Sequence, residues 1–140
     1  DAVRIVASHH AHARVHVRRA VLVGLRGGAP HGSAALQAVA AGMADEDALV
    51  RIHAARAAAA LDLGGVLADA IRDRLRDPIW TVRWSIARAL AGTDMRSDAV
   101  AALLESQPPP DYHGFDEWVR SVGVFSDDTA ARHRLASLGR

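Results

Sequence analysis

Residues 75 to 90 read LRDPIWTVRWSIARAL, and 32 positions earlier the chain reads MADEDALVRIHAARAA. The anchor Val50-Arg51 recurs as Val82-Arg83, with Asp45 matching Asp77, Met43 matching Leu75, Arg56 matching Arg88 and Ala57 matching Ala89. Val17-Arg18 lies 33 positions upstream of Val50-Arg51, and Val119-Arg120 lies 37 downstream of Val82-Arg83, the excess being assigned to an insertion at QPPPDY. Self-similarity at a period of about 33 residues constrains the fold more than any other feature, because each unit is too thin to bury a hydrophobic face except against the next. The units are placed at about 1–32, 33–65, 66–97 and 98–126.

Each unit carries two helical stripes. Leu36, Val39 and Met43 form one and Val50, His53, Ala54, Ala57 and Leu61 the next, across the turn ADED. Ala68, Ile71 and Leu75 are followed by Val82, Ser85, Ile86, Ala89 and Leu90. Asp77-Pro78 is expected to open the latter helix as N-cap and first helical residue, with Gly64-Gly65 and Gly92 as stop signals. No useful stretch alternates with period two. The chain is therefore expected to be all-α: about four antiparallel helix pairs stacked as a right-handed α-solenoid. Phe115, Trp118, Val119 and Val122 make a degenerate last stripe. Ser126 is expected to cap a polar closing helix at about 127–138, since an open solenoid end needs a lid.

Composition agrees and excludes several classes. The 140 residues suit one domain, half are hydrophobic and only 4% aromatic, so helices must approach closely across small side chains. With no cysteine, disulfides, thiolate metal sites and cysteine nucleophiles are ruled out, in keeping with an expected cytoplasmic setting. All seventeen basic residues are arginine, read as codon bias, and the net charge of +1 does not argue for nucleic acid. No apolar run reaches membrane-spanning length, so no membrane partner is expected. The chain begins at Asp1 rather than methionine, which leaves room for a leader or an earlier repeat.

The residues Asp77, Val82-Arg83, Ala87 and Ala89-Leu90, with Asp45, Val50-Arg51, Ala55 and Ala57-Ala58, resemble the HEAT-like repeat family, in particular the short bacterial variety of phycobilisome-lyase-type repeats. The ankyrin TPLHxA stretch and the tetratricopeptide tryptophan–leucine–glycine–tyrosine pattern are absent. The resemblance implies a ladder of Asp–Arg pairs between units, so Asp45, Asp77, Arg18, Arg51, Arg83 and Arg120 are read as structural. It also implies that the second helices line a concave face. Arg19, Ile52 and Trp84, with Arg56 and Arg88 one turn on, are then the candidate binding residues. Trp84 and Arg88 are spaced so that the guanidinium can lie over the indole, and Trp and Arg are common interface anchors.

The expected function is a non-catalytic scaffold that holds another protein or peptide on that face, with no cofactor. One alternative is nucleic-acid binding or DNA repair, since alkylpurine DNA glycosylases use similar repeats and Trp80, Trp84 and Arg88 distantly resemble their cleft; no catalytic aspartate can be assigned. A phycobilin-lyase-like or other small-molecule enzyme is a further alternative to which no residue can be matched. HExxH, GxSxG, GxGxxG and P-loop motifs are missing, and no His-Glu dipeptide supports the iron site of a deoxyhypusine hydroxylase. In the run ASHHAHARVHVRR, His12 and His16 are weak metal candidates for want of a third ligand; His12 aligns with Asp45 and Asp77 and is read as an exposed polar turn. His53 is expected to be a satisfied core histidine, and His31, His113 and His133 have no constellation around them.

Overall fold

Three of the turns that precede a second helix are built by one recurring set of hydrogen bonds. In the computed structural model, which describes residues 2–27 and 32–139, the side chains of His12, Asp45 and Asp77 each accept from the backbone N–H two residues on, that of Arg14, Asp47 and Ile79 respectively. The arginine six residues on, Arg18, Arg51 or Arg83, donates through Nη1 to the carbonyl of the same turn residue: His12, Asp45 or Asp77. The turn thus satisfies backbone groups that a helix start leaves open. His12 performs the aspartate's task with its ring nitrogen, which accounts for its place in the repeat.

The described residues form nine helices and no strand: α1 (Ala2–Ala7), α2 (Val15–Arg26), α3 (Ser33–Met43), α4 (Ala48–Ala60), α5 (Ala68–Leu75), α6 (Trp80–Ala89), α7 (Arg96–Glu105), α8 (Phe115–Gly123) and α9 (Thr129–Leu138). Two compact units divide the chain, Asp1–Arg74 and Leu75–Arg140. In the first, α1 packs on α2 and α3, α2 on α3 and α4, and α3 on α4. In the second, α6 packs on α7 and α8, α7 on α8 and α9, and α8 on α9. Within α1–α4 and within α6–α9, helices therefore meet both their neighbour and the helix after that, as stacked hairpins require. His31 lies outside the described residues.

Several expected helix ends differ. The N-cap of α4 is Asp47, whose carboxylate accepts from the Val50 N–H, while Asp45 sits one step back in the turn. Helix α6 begins at Trp80 with extended Ile79 as its N-cap; Asp77 closes the preceding turn rather than capping. Helix α4 stops at Ala60, well before Gly64-Gly65. Asp62 takes the left-handed conformation at φ 54°, and the Leu63 N–H to Ala58 O and Asp62 N–H to Ala59 O bonds close the end. A short polar residue tolerates that conformation. Asp128, not Ser126, caps α9 by accepting from the Ala130 and Ala131 N–H groups.

The expected alignment of Val119-Arg120 with Val82-Arg83 is off by one residue. The buried positions of α8 are Trp118, Ser121 and Val122, which follow Val82, Ser85 and Ile86 of α6 at a spacing of 36. Trp118 fills the core place of the valine, and Arg120 stands largely in solvent beside Glu117. Register follows the apolar face, and a tryptophan supplies more buried surface than Val119 would.

In the first unit the arginine–aspartate pairing is strong. Arg18 grips Asp45 with two parallel bonds, Nε to Oδ2 at 2.7 Å and Nη2 to Oδ1 at 3.0 Å, and Arg19 grips Asp47 in the same way at 3.0 and 2.7 Å. Burial pushes the Asp45 carboxyl up, but the bonds from Arg18 and the Asp47 N–H outweigh it and hold its pKa below the ordinary carboxylate value. The bond from Arg19 lowers Asp47 against a smaller effect of burial. Half-buried His53 is lowered by burial first, then by the positive charges of Arg56, Arg26 and Arg19.

All three groups bind protons more weakly folded than unfolded. The stability they contribute is present above their unfolded values and lost as pH falls through the folded ones. Acid titration of the isolated chain should therefore show a first loss of thermal stability below about pH 6.5, from His53, and a second below about pH 4, from the aspartates. The His53→Gln variant should lose the first step and keep the second; an unchanged first step would show that another group carries it.

Candidate functional site beside Trp80

Five residues were expected to share a concave binding face. Arg19, Ile52 and Arg56 belong to the first unit, Trp84 and Arg88 to the second. Ile52 is buried, and Trp84 is buried completely, so neither indole nor isoleucine offers a surface. The reason is local. Val82, Trp84, Ser85, Ile86 and Ala87 are all buried, so α6 is covered around most of its circumference. The end of the QPPPDYHG insertion lies on the indole: a Cβ on Gly114 would come within 3.1 Å of Trp84 Cη2.

Arg88 does not lie over Trp84 but pairs with Glu117 and reaches Ser85 Oγ at 3.5 Å. Arg19 is held by Asp47. Arg56 is half-buried on α4, near enough to His53 to lower its pKa. His53 departs from the expected satisfied core histidine, since it is only partly buried and its Nδ1 has no hydrogen-bond partner. His12 is exposed and engaged by the Arg14 N–H, His16 is exposed, and among the described residues no group of three potential ligands could hold a metal.

A pocket that joins aromatic and charged side chains lies in the second unit. It has a volume of about 310 Å³ and is lined by Leu75, Arg76, Trp80, Arg83, Ala102, Glu105, Ser106 and Gln107. The end of α5 gives it an apolar side through Leu75, and the first turn of α6 supplies Trp80 and Arg83 on one helix face, three residues apart. The Arg83 guanidinium lies 5.7 Å from the Trp80 ring centroid, a cation–π distance. Tyr112, from the insertion, meets that indole edge-on, with ring centroids 4.5 Å apart. Only glycine at position 114 permits this, because a Cβ there would stand 2.5 Å from Tyr112 Cε1.

Two residues of the pocket lining each carry a buried polar atom without a hydrogen-bond partner, Arg83 Nε and Gln107 Oε1. Burial lowers the Arg83 pKa, partly countered by the Asp77 carboxylate. An arginine remains cationic even so. Orphaned buried polar atoms are uncommon in folded proteins and call for an explanation.

Sequence reading assigned Arg83 to the structural ladder and gave Arg76 and Gln107 no role. One signal for the site was present. Arg18 finds its carboxylate 27 residues downstream, and 27 residues beyond Arg83 the chain has Pro110 of the insertion instead.

No family model, curated protein or solved structure matches the chain. Among the described residues no helix is long and apolar enough to cross a membrane.

Proposed function

We propose that this chain is a non-catalytic scaffold that holds a protein or peptide segment, built as a right-handed α-solenoid of HEAT-like hairpins. The helix packing supports the hairpin stack, since helices meet their neighbour and the next but one within α1–α4 and within α6–α9. The observation that carries the binding role is the open pocket at Trp80 and Arg83. It combines an aromatic wall with an arginine whose buried Nε has no partner, the pairing that anchors many interfaces. The expected groove through Trp84 and Ile52 is replaced by this pocket, since both of those residues belong to the core.

Selection of a random peptide display library against the chain tests the proposal. Enriched peptides should bind the parent, bind Arg19→Ala equally, and lose at least tenfold in affinity on Trp80→Ala, with the far-UV circular dichroism unchanged. Nucleic-acid binding is the competing outcome, and the arginines near His53 are where it would act. DNA affinity falling steeply with salt, together with no enriched peptide, would replace the scaffold reading by that one.

A further inference from the structure

The same guanidinium edge has two fates in one chain. In Arg18, Nη1 donates to the backbone of its own turn, at His12 O and Ala13 O, while the Nε–Nη2 edge grips the Asp45 carboxylate through two parallel bonds. Arg83 occupies the equivalent place two repeats later, and its Nη1 donates to Asp77 O just as Arg18 donates to His12 O. Its Nε–Nη2 edge, however, holds nothing among the described residues, and Nε is buried. No carboxylate among the described residues forms an ion pair with it. Arg83 lines the 310 Å³ pocket, with Arg76 adding a second positive charge on the wall. Trp80 braces one face of the guanidinium.

We infer that the pocket receives a peptide carboxylate, which docks on the Nε–Nη2 edge of Arg83 in the arrangement that Asp45 adopts on Arg18. The inference rests on the proposed peptide-binding role and names the group that is recognised. A planar carboxylate matches the fixed fork of a guanidinium through two parallel bonds, a geometry that a lysine cannot supply. A small turn of the Arg83 side chain brings its covered Nε–H, which has no acceptor among the described residues, to the incoming carboxylate. Glu105, exposed at the pocket edge, opposes an incoming anion and sets how tightly it is held. The carboxylate can come from an aspartate or glutamate side chain or from a chain terminus. Both present the same two oxygens, and Leu75 and Trp80 offer apolar contact to whatever carries them.

The test reads Arg83 directly in the unmodified chain. Its Nε–H resonance, assigned by comparison with Arg83→Lys, is followed in a ¹H–¹⁵N spectrum during titration with N-acetylglutamate N-methylamide, inorganic phosphate, and two short peptides. One peptide has an internal glutamate and an amidated end; the other has a free C-terminus and no acidic side chain. The Arg83 Nε–H signal should move downfield and saturate with N-acetylglutamate N-methylamide and with at least one peptide, and the preferred peptide identifies the source of the carboxylate.

Arg83→Lys, which keeps the charge and a donor for Asp77 O, should weaken binding at least tenfold, and Glu105→Gln should tighten it several-fold. An Arg83 signal unmoved by every carboxylate overturns the inference, even if displayed peptides bind elsewhere. Phosphate binding as tight as the carboxylates overturns it as well, in favour of a general anion site. Carboxylate binding without any enriched display peptide would leave the carboxylate site standing and remove the peptide scaffold.

Discussion

Trp84→Ala is expected to destabilise the second unit by about 3–5 kcal/mol, the cost of a large cavity in a packed core. Trp84 is among the largest side chains with no exposure, and its ring lies 6.1 Å from that of Trp80, under the end of the insertion. Removing it therefore takes support from the Trp80–Tyr112 pair as well, so loss of binding in this variant would report unfolding rather than a lost contact. A urea melt followed by circular dichroism measures the effect, and a change below about 1 kcal/mol would contradict the burial.

The phenylalanine variants sharpen the expectation. Trp118 donates its Nε1–H to Leu103 O at 2.7 Å, whereas Trp84 Nε1 has no partner. Both tryptophans are fully buried. Trp118→Phe gives up a buried hydrogen bond and leaves the Leu103 carbonyl only the long bond from Ser106 Oγ at 3.4 Å, so it should cost about 1–3 kcal/mol more than Trp84→Phe, which gives up none.

Gly42→Val should destabilise the first unit by about 3 kcal/mol, at the upper end of the usual cost of overpacking. Gly42 sits inside α3, where a residue with a side chain would ordinarily gain up to about 1 kcal/mol in helix propensity. Here the sign reverses. A Cβ at this position would come within 2.9 Å of both Ala54 Cβ on α4 and Leu22 Cδ1 on α2. The leucine tip can turn away, but Ala54 Cβ moves only with its helix. Gly42→Ala should therefore also destabilise, by less, and thermal denaturation of the pair measures both. A stabilised Gly42→Ala would mean that α3 can step back from α4 without loss.

These substitutions divide what could be read from the residues from what could not. Val50, Val82, Ala54 and Ile86 recur at helical spacing, and their burial in α4 and α6 follows from that spacing. The match of His12 with Asp45 and Asp77 likewise surfaces in one turn geometry, because its bonds span two and six residues and are local. Trp84 and Ile52 were misplaced for a non-local reason. Periodicity identifies one buried stripe per helix, but α4 and α6 are covered on more than one side by segments distant in the chain. The candidate site was legible only in outline. An arginine in the repeat turn was visible, but whether its carboxylate exists depends on what another part of the chain places opposite.

The sequence by itself determined the all-helical character, the period near 33 residues, and the turn that begins each second helix, because helix periodicity and capping are set within a few residues. Tertiary structure alone decided the register of α8, the need for glycine at position 42, the burial of Trp84, and the difference between Arg18 and Arg83. Each of those depends on which surfaces meet across tens of residues, where close packing and the pairing of buried charge choose among patterns that are locally equivalent.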